Sequence, residues 1–322
     1  MNRAAYPVLI LCTAILMIAS MANGAGTPGL ADLFALSSGS EAAMIILDLR
    51  LPRTLAAVLV GSALGAAGML MQAVTRNPLA EPGLLGVNSG AALGVVAGIA
   101  WAGAAAGPGY LVWALLGALV GNGCVLAVAH VGGSVKGPLR LVLAGIALGA
   151  TFHGASSAIL LSEPAGYDQY RFWVLGSLAG ATQTAIAWVA APILGALIAA
   201  LMLARPLSAL QLGDDSARAL GHRPALLRAA VAVVATLLTG SAVALAGPIA
   251  FLGLLAPHLA RACKPGTLAQ QIALSAMLGA ALLLLADLGA RLFAQPFETP
   301  VSVMTAMLGA PLLVWLARRG SL

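Results

Sequence analysis

Between Leu49 and Gly94 the chain reads LRLPRTLAAVLVGSALGAAGMLMQAVTRNPLAEPGLLGVNSGAALG. The stretch from residue 51 to 74 is mostly apolar, and Arg53 near its start is its one charged residue; a helix needs ~20 apolar residues to cross ~30 Å of hydrocarbon. Gly61, Gly65 and Gly68 form a small-residue row within it, spaced so that a neighbouring helix can approach closely. From Pro78 to Gly86, proline and glycine then break the apolar pattern. Such an interruption needs a protein-lined or wet environment. A second break runs from Gly247 to Pro257.

The whole chain follows the same pattern. Its 322 residues are 61% apolar and 8% charged, a composition that excludes a water-soluble globular domain. Apolar stretches at 5–24, 51–74, 84–104, 109–131, 139–161, 184–204, 226–246, 248–262, 268–288 and 301–317 predict an all-α polytopic membrane protein of about ten transmembrane helices. The seventh and eighth are parted only by Gly247 and Pro248. Residues 1–322 then form a single transmembrane domain without room for a sizeable domain outside the membrane.

The net charge of +6 reads as topology rather than nucleic-acid binding. With both termini cytoplasmic, the inner side receives Arg3, Arg76, Lys136, Arg140, Arg205, Arg218, Arg223, Arg228, Arg261, Lys264, Arg318 and Arg319, twelve of the sixteen basic residues. Arg50, Arg53, Arg171 and Arg291 fall outside, on the side that should be poor in base. Arg3, the apolar run after it and Ser20-Met21-Ala22 are also compatible with a cleaved signal peptide. Cleavage would leave nine spans in the same orientation.

Several chemistries are excluded or weakened. There is no G-x-x-x-x-G-K-[ST] loop, so the chain does not hydrolyse ATP alone. His130, His153, His222 and His258 lack the H-E-x-x-H spacing of zinc hydrolases. Cys12, Cys124 and Cys263 are odd in number and widely separated, suggesting neither a disulfide framework nor a metal site. His153 lies close to Ser156 and Ser157 in one predicted helix, which is adjacency rather than the facing dyad of an intramembrane protease. An ion-coupled secondary transporter would carry ionisable relays deep in its spans, whereas the acids here fall mostly at span ends. Asp32, Glu41, Asp48, Glu163, Asp168 and Glu298 lie outside, and Glu81, Asp214 and Asp215 inside. Asp287, four residues before Arg291, suits an interfacial ion pair.

The 49–94 block resembles the permease subunits of FecCD-type ABC importers for iron chelates, haem and cobalamin. LVLAGIALGA from Leu141, ALQLGDDSARALGHRP from Ala209, VALAGPIAFLGLLAPHLAR from Val243 and FETPVSVMTAMLGAPLLVWLARR from Phe297 agree in order and cover most of the chain. The resemblance implies a type II importer permease fold with ten spans. It also implies a second permease subunit, identical or related, two cytoplasmic ATP-binding cassette subunits and an external substrate-binding protein. No cofactor would be bound by this chain, ATP and Mg being used by the partner ATPase.

Residues 205–228 form the longest charged connection on the inner side. Leu212-Gly213 and Leu220-Gly221 frame a helix-compatible run from Asp214 to Ala219, and two short helices broken by glycines would make a protrusion able to seat in a cleft. By resemblance this is the ATPase-coupling segment, with Gly213, Asp214, Asp215, Ala217, Leu220 and Gly221 on the matching positions. Outside, Arg50, Arg53 and Arg291 form a candidate surface for carboxylates of a binding protein, because guanidinium pairs with carboxylate in bidentate geometry. The family uses arginines at these places. Headgroup anchoring by snorkelling is the competing reading.

Gln72, Thr151, His153, Ser156, Ser157, Ser302 and Thr305 are uncharged polar residues within apolar runs. The resemblance implies that the fifth and tenth spans line the passage, and with the second span these residues are candidates for its weakly binding wall; hydrogen bonding to a neighbouring helix is the alternative. YDQYRFWVLGSLAG from Tyr167, Asp214-Asp215 and FETPVSV look more like ferric-siderophore permeases, catecholate ones especially. AEPGLLGV and LLLLADLGARL are also similar to cobalamin permeases.

Overall fold

The computed structural model describes residues 5–24, 40–103, 108–131, 138–293 and 299–318. Arg3, Asp32, Lys136, Phe297, Glu298 and Arg319, used above, lie outside them. Helix α1 spans Ala5–Ala22, and α2 (Glu41–Met44) passes through a π-helical turn, Ile45–Arg50, into α3 (Leu51–Thr75). A 3-10 turn, Pro82–Leu85, precedes α4 (Val87–Ala102), α5 (Pro108–Val131), α6 (Pro138–Ser162) and α7 (Pro164–Val174). Then come α8 (Gln183–Gln211), α9 (Asp214–Ala219), α10 (Pro224–Ala246), α11 (Leu252–Ala262), α12 (Leu268–Phe293) and α13 (Val301–Arg318). No strand occurs among the described residues.

A helix lies on each of the ten apolar stretches. Among the described residues, six helices are long and apolar enough to cross a membrane: Glu41–Thr75, Gly109–Val128, Leu143–Ser162, Gln183–Gln211, Pro224–Ala246 and Leu268–Phe293. Tyr6–Ala22, Val87–Ala102 and Val301–Pro311 are shorter apolar helices. The expected two short helices in the 205–228 connection are one, α9. After it Gly221 takes a left-handed φ of 82°, and the fixed φ of Pro224 opens the first turn of α10.

Helix α3 is the centre of the bundle and packs against α12, α10, α11 and α8. It meets α12 antiparallel along a ladder that climbs α3 as it descends α12. A Cβ on Gly65 would overlap the Ser275 carbonyl, one on Gly61 the Gly279 carbonyl, and one on Gly279 the Gly61 carbonyl. Two turns further, in the same register, Arg53 stands against Asp287. The backbones are therefore in contact, as small-residue rows permit. Helices α4 and α5 repeat the device, with Gly90 against Gly117 and Gly121 against Gly86.

The two sequence breaks meet in space. Phe251 adopts a left-handed φ of 66° ahead of α11, and its amide donates to the Glu81 carboxylate at 3.1 Å. Gly253, in the first turn of α11, approaches the Pro82 ring. Gln72 of α3 donates its Nε2 to the Gly253 carbonyl at 3.4 Å, and a Cβ on Gly68 would overlap the same carbonyl. Helix α11 is thus a short helix whose N-terminus is held by the linker between α3 and α4.

Candidate functional site

Three regions carry the candidate residues. At the end of the bundle where α3 terminates, Gly213 (φ 124°) precedes α9 and Gly221 follows it. These are conformations that a side chain would strain. Between them Ala217 is fully buried, anchoring one face of α9, and the His222 amide closes the turn onto the Ala217 carbonyl at 2.9 Å. The opposite face is open: Leu212 is 75% and Leu220 62% exposed. The Asp215 side chain is fully exposed and pairs with Arg218 at 2.7 Å.

Asp214 turns the other way. Its Oδ1 accepts from Arg228 of α10 at 2.6 Å and from Arg76, just past α3, at 3.3 Å. Arg76 also donates to the Leu210 carbonyl of α8 at 2.6 Å. The Arg228 hydrogen bond, chiefly, holds the Asp214 carboxyl below its ordinary pKa, with Arg76 and Arg218 adding to the pull.

At the opposite end, the three arginines of the candidate docking surface lie beneath the surface. Arg50, Arg53 and Arg291 are 4%, 8% and 5% exposed. Asp287, fully buried, pairs with Arg53 at 2.9 Å and with Arg291 at 2.8 Å. Arg50 donates to the Met21 and Ala22 carbonyls at 3.0 and 3.1 Å. Arg291 donates to the Ser20 and Asn23 carbonyls at 2.9 and 2.8 Å. Two guanidiniums thereby cap the C-terminal end of α1, where helix carbonyls lack intrahelical partners and the dipole favours cations. The physical cause of the burial is that α1 and α12 pack over the head of α3.

The candidate path residues separate into groups. Thr151, His153 and Ser157 are exposed on α6 and Ser156 is buried there. Thr151, Ser156 and Ser157 bond back to carbonyls of their own helix, Ala147, Phe152 and His153, at 3.1, 2.8 and 2.9 Å. Ser302 of α13 donates to the Leu175 carbonyl just past α7. Thr305 bonds the Ser302 carbonyl at 2.9 Å and shares a small cleft with Leu252 and Leu255 of α11, the helix that Gln72 also touches.

Sequence reading did not anticipate α7 or the cavity beside it. That cavity, about 790 Å³, lies among Tyr110, Gln169, Trp173, Ser177, Thr299 and Pro300. The Tyr110 hydroxyl and the Gln169 Oε1 hydrogen-bond at 3.0 Å. Glu81 and the Arg76–Asp214–Arg228 cluster were also unforeseen as contacts. The signal for Arg53 was present: it falls on the four-residue repeat that carries Gly61 and Gly65, hence on the face that meets α12.

The FecCD transport family matches residues 11–319 of this all-helical bundle, and the chain belongs to that family. It is 44% identical over 318 residues to the ferric enterobactin transport system permease protein FepD of Escherichia coli (strain K12), covering 98% of this chain and 95% of that protein. It is 39% identical to the vitamin B12 import system permease protein BtuC of Klebsiella pneumoniae, covering 86% and 83%. A solved structure described as an inward-facing conformation of a metal-chelate type ABC transporter superposes with a TM-score of 0.86 at 27% identity. It covers 99% of this chain and all of that one.

Proposed function

We propose that the chain is the membrane-spanning permease subunit of an ATP-driven importer that passes a ferric siderophore, a ferric catecholate first among them, from a substrate-binding protein to the cytoplasm. The observation that carries this reading is the 44% identity to FepD over nearly the full length of both chains. In it the chain crosses the plasma membrane ten times with both termini cytoplasmic, so that α9 faces inward and the Arg53–Asp287 cluster outward. Two ATP-binding cassette subunits, which use ATP and Mg, dock on the exposed side of α9 around Leu212, Asp215 and Leu220. A second permease subunit, identical or related, covers the exposed face of α6, and the solute moves along the uncharged side chains there and on α13. Weakly binding, uncharged walls suit release, because a tight site slows exit. The binding protein docks over the outer end, where Arg50, Arg53 and Arg291 set the positive field from beneath the surface.

The same class carrying cobalamin is supported by the likeness to BtuC. The test is accumulation of ferric catecholate, ferric hydroxamate, haem and cobalamin in vesicles holding the permease with its ATPase and binding protein. Uptake of the ferric catecholate supports the reading, and uptake of cobalamin alone replaces the substrate. Uptake that needs an ion gradient and no ATP overturns the class.

A further inference from the structure

Asp214 opens α9 with its side chain 34% exposed and its carboxylate bonded toward the bundle. One carboxylate oxygen joins α9 to the first turns of α10 through Arg228 and to the end of α3 through Arg76. The same Arg76 nitrogen that reaches Asp214 also binds the last turn of α8 through Leu210. Arg76 is itself fixed, in a left-handed conformation (φ 53°) with its amide on the Gln72 carbonyl. The ends of α3 and α10 therefore meet α9 on one carboxylate, and α8 is joined to it through Arg76.

Charge pairs this exposed contribute little to stability, so the arrangement is better explained by geometry. Ala217 keeps α9 seated while Asp215, Arg218, Leu212 and Leu220 look away from the bundle. Helix α3, at the receiving end, is locked backbone to backbone with α12 and does not absorb a displacement by sliding.

We propose that Asp214 is a transmission residue: it passes a displacement of α9 to α3, α8 and α10 and makes no contact with the subunit that imposes it. This rests on the reading of α9 as the seat of an ATP-binding cassette subunit, and divides that segment into a gripping side and a transmitting side. Asp214 positions helices and takes no part in ATP chemistry.

The experiment uses the full assembly in vesicles, comparing wild type with Asp214→Ala, Asp214→Glu and the double variant Arg76→Gln/Arg228→Gln. Two quantities are read: cassette subunit retained on the purified permease, and ATP hydrolysed per solute accumulated. Asp214→Ala is expected to keep its cassette subunit while the ATP-to-solute ratio rises about tenfold, an ordinary coupling factor. The double arginine variant should reproduce this, and Asp214→Glu should restore most of the coupling. An unchanged ratio with the cassette retained overturns the proposal alone. Loss of the cassette from Asp214→Ala also overturns it, making Asp214 a docking residue. A wild-type permease that retains no cassette subunit overturns the functional reading and the proposal with it.

Discussion

The Glu81 carboxylate accepts the amide proton of Phe251 at 3.1 Å across 170 residues of sequence. This makes one joint of two breaks that lie far apart in the chain, and it satisfies an amide that the left-handed turn at Phe251 leaves outside the ladder of α11.

Removing that acceptor is expected to act as loss of a helix cap. Glu81→Ala should cost about 1 kcal/mol, within the ~0.5–2 kcal/mol of capping residues, whereas Glu81→Gln keeps an acceptor and should cost less. Burial raises the pKa of Glu81, opposed in part by the Phe251 hydrogen bond. The folded protein then holds this proton more tightly than the unfolded chain, so stability falls as pH rises from the ordinary carboxylate range through the raised value. Unfolding in detergent as a function of pH should show this slope in wild type and its loss in Glu81→Gln.

The Asp214 carboxyl has the opposite sign. Its pKa is lowered, first by the Arg228 hydrogen bond, so its contribution is present above the ordinary carboxylate range and disappears as pH falls through the lowered value. The same titration on Asp214→Asn should lack that acid-side loss.

A methyl group tests the ladder between α3 and α12. Gly65→Ala meets the Ser275 carbonyl, a backbone atom that cannot turn aside, and should cost about 1–3 kcal/mol as overpacking does. Gly123→Ala, with nothing within 4 Å of its Cβ, should be neutral or slightly stabilising, since alanine is the better helix former. Thermal unfolding of the two variants side by side separates a packing effect from a general intolerance of α-helical glycine replacement.

The buried cluster should respond unequally to its members. Asp287 serves both Arg53 and Arg291, so Asp287→Ala leaves two buried guanidiniums without their carboxylate. It should destabilise by about 3–5 kcal/mol, the cost of breaking a buried pair. Arg53→Ala leaves Asp287 with Arg291 and should cost less. Equal losses in denaturant unfolding would show that the two pairs are not shared through Asp287.

Much of this was legible in sequence because hydrocarbon imposes a simple rule: apolar runs of spanning length become helices. A helix-compatible run from Asp214 to Ala219, marked by its flanking glycines, became α9 with those same limits. The small-residue row at Gly61, Gly65 and Gly68 found close neighbours. What sequence did not disclose was depth. A positive-inside count places Arg50, Arg53 and Arg291 at one end but cannot tell a guanidinium at the surface from one beneath α1. Pairings across the chain, Glu81 with Phe251 or Arg76 with Asp214, have no periodicity of their own. Helix α7 was overlooked because its mixed polar and aromatic residues give no spanning signal, although Pro164 marks its first turn.

The salt bridge between Arg53 and Asp287 closes over 234 residues, and this sets an order on the making of the protein. Arg53 is synthesised at the head of α3 long before its partner exists. At ~5–20 residues per second the interval is roughly ten to fifty seconds. Through that time a charged helix head must wait at the water boundary or be sheltered by the insertion machinery. Asp287 emerges 234 residues later, already beside Arg291 on its own helix, and its arrival seats α12 against α3. The packing of α3 is therefore completed only when α12 has been made, and a product truncated before α12 would keep Arg53 without its carboxylate, open to the membrane's quality control.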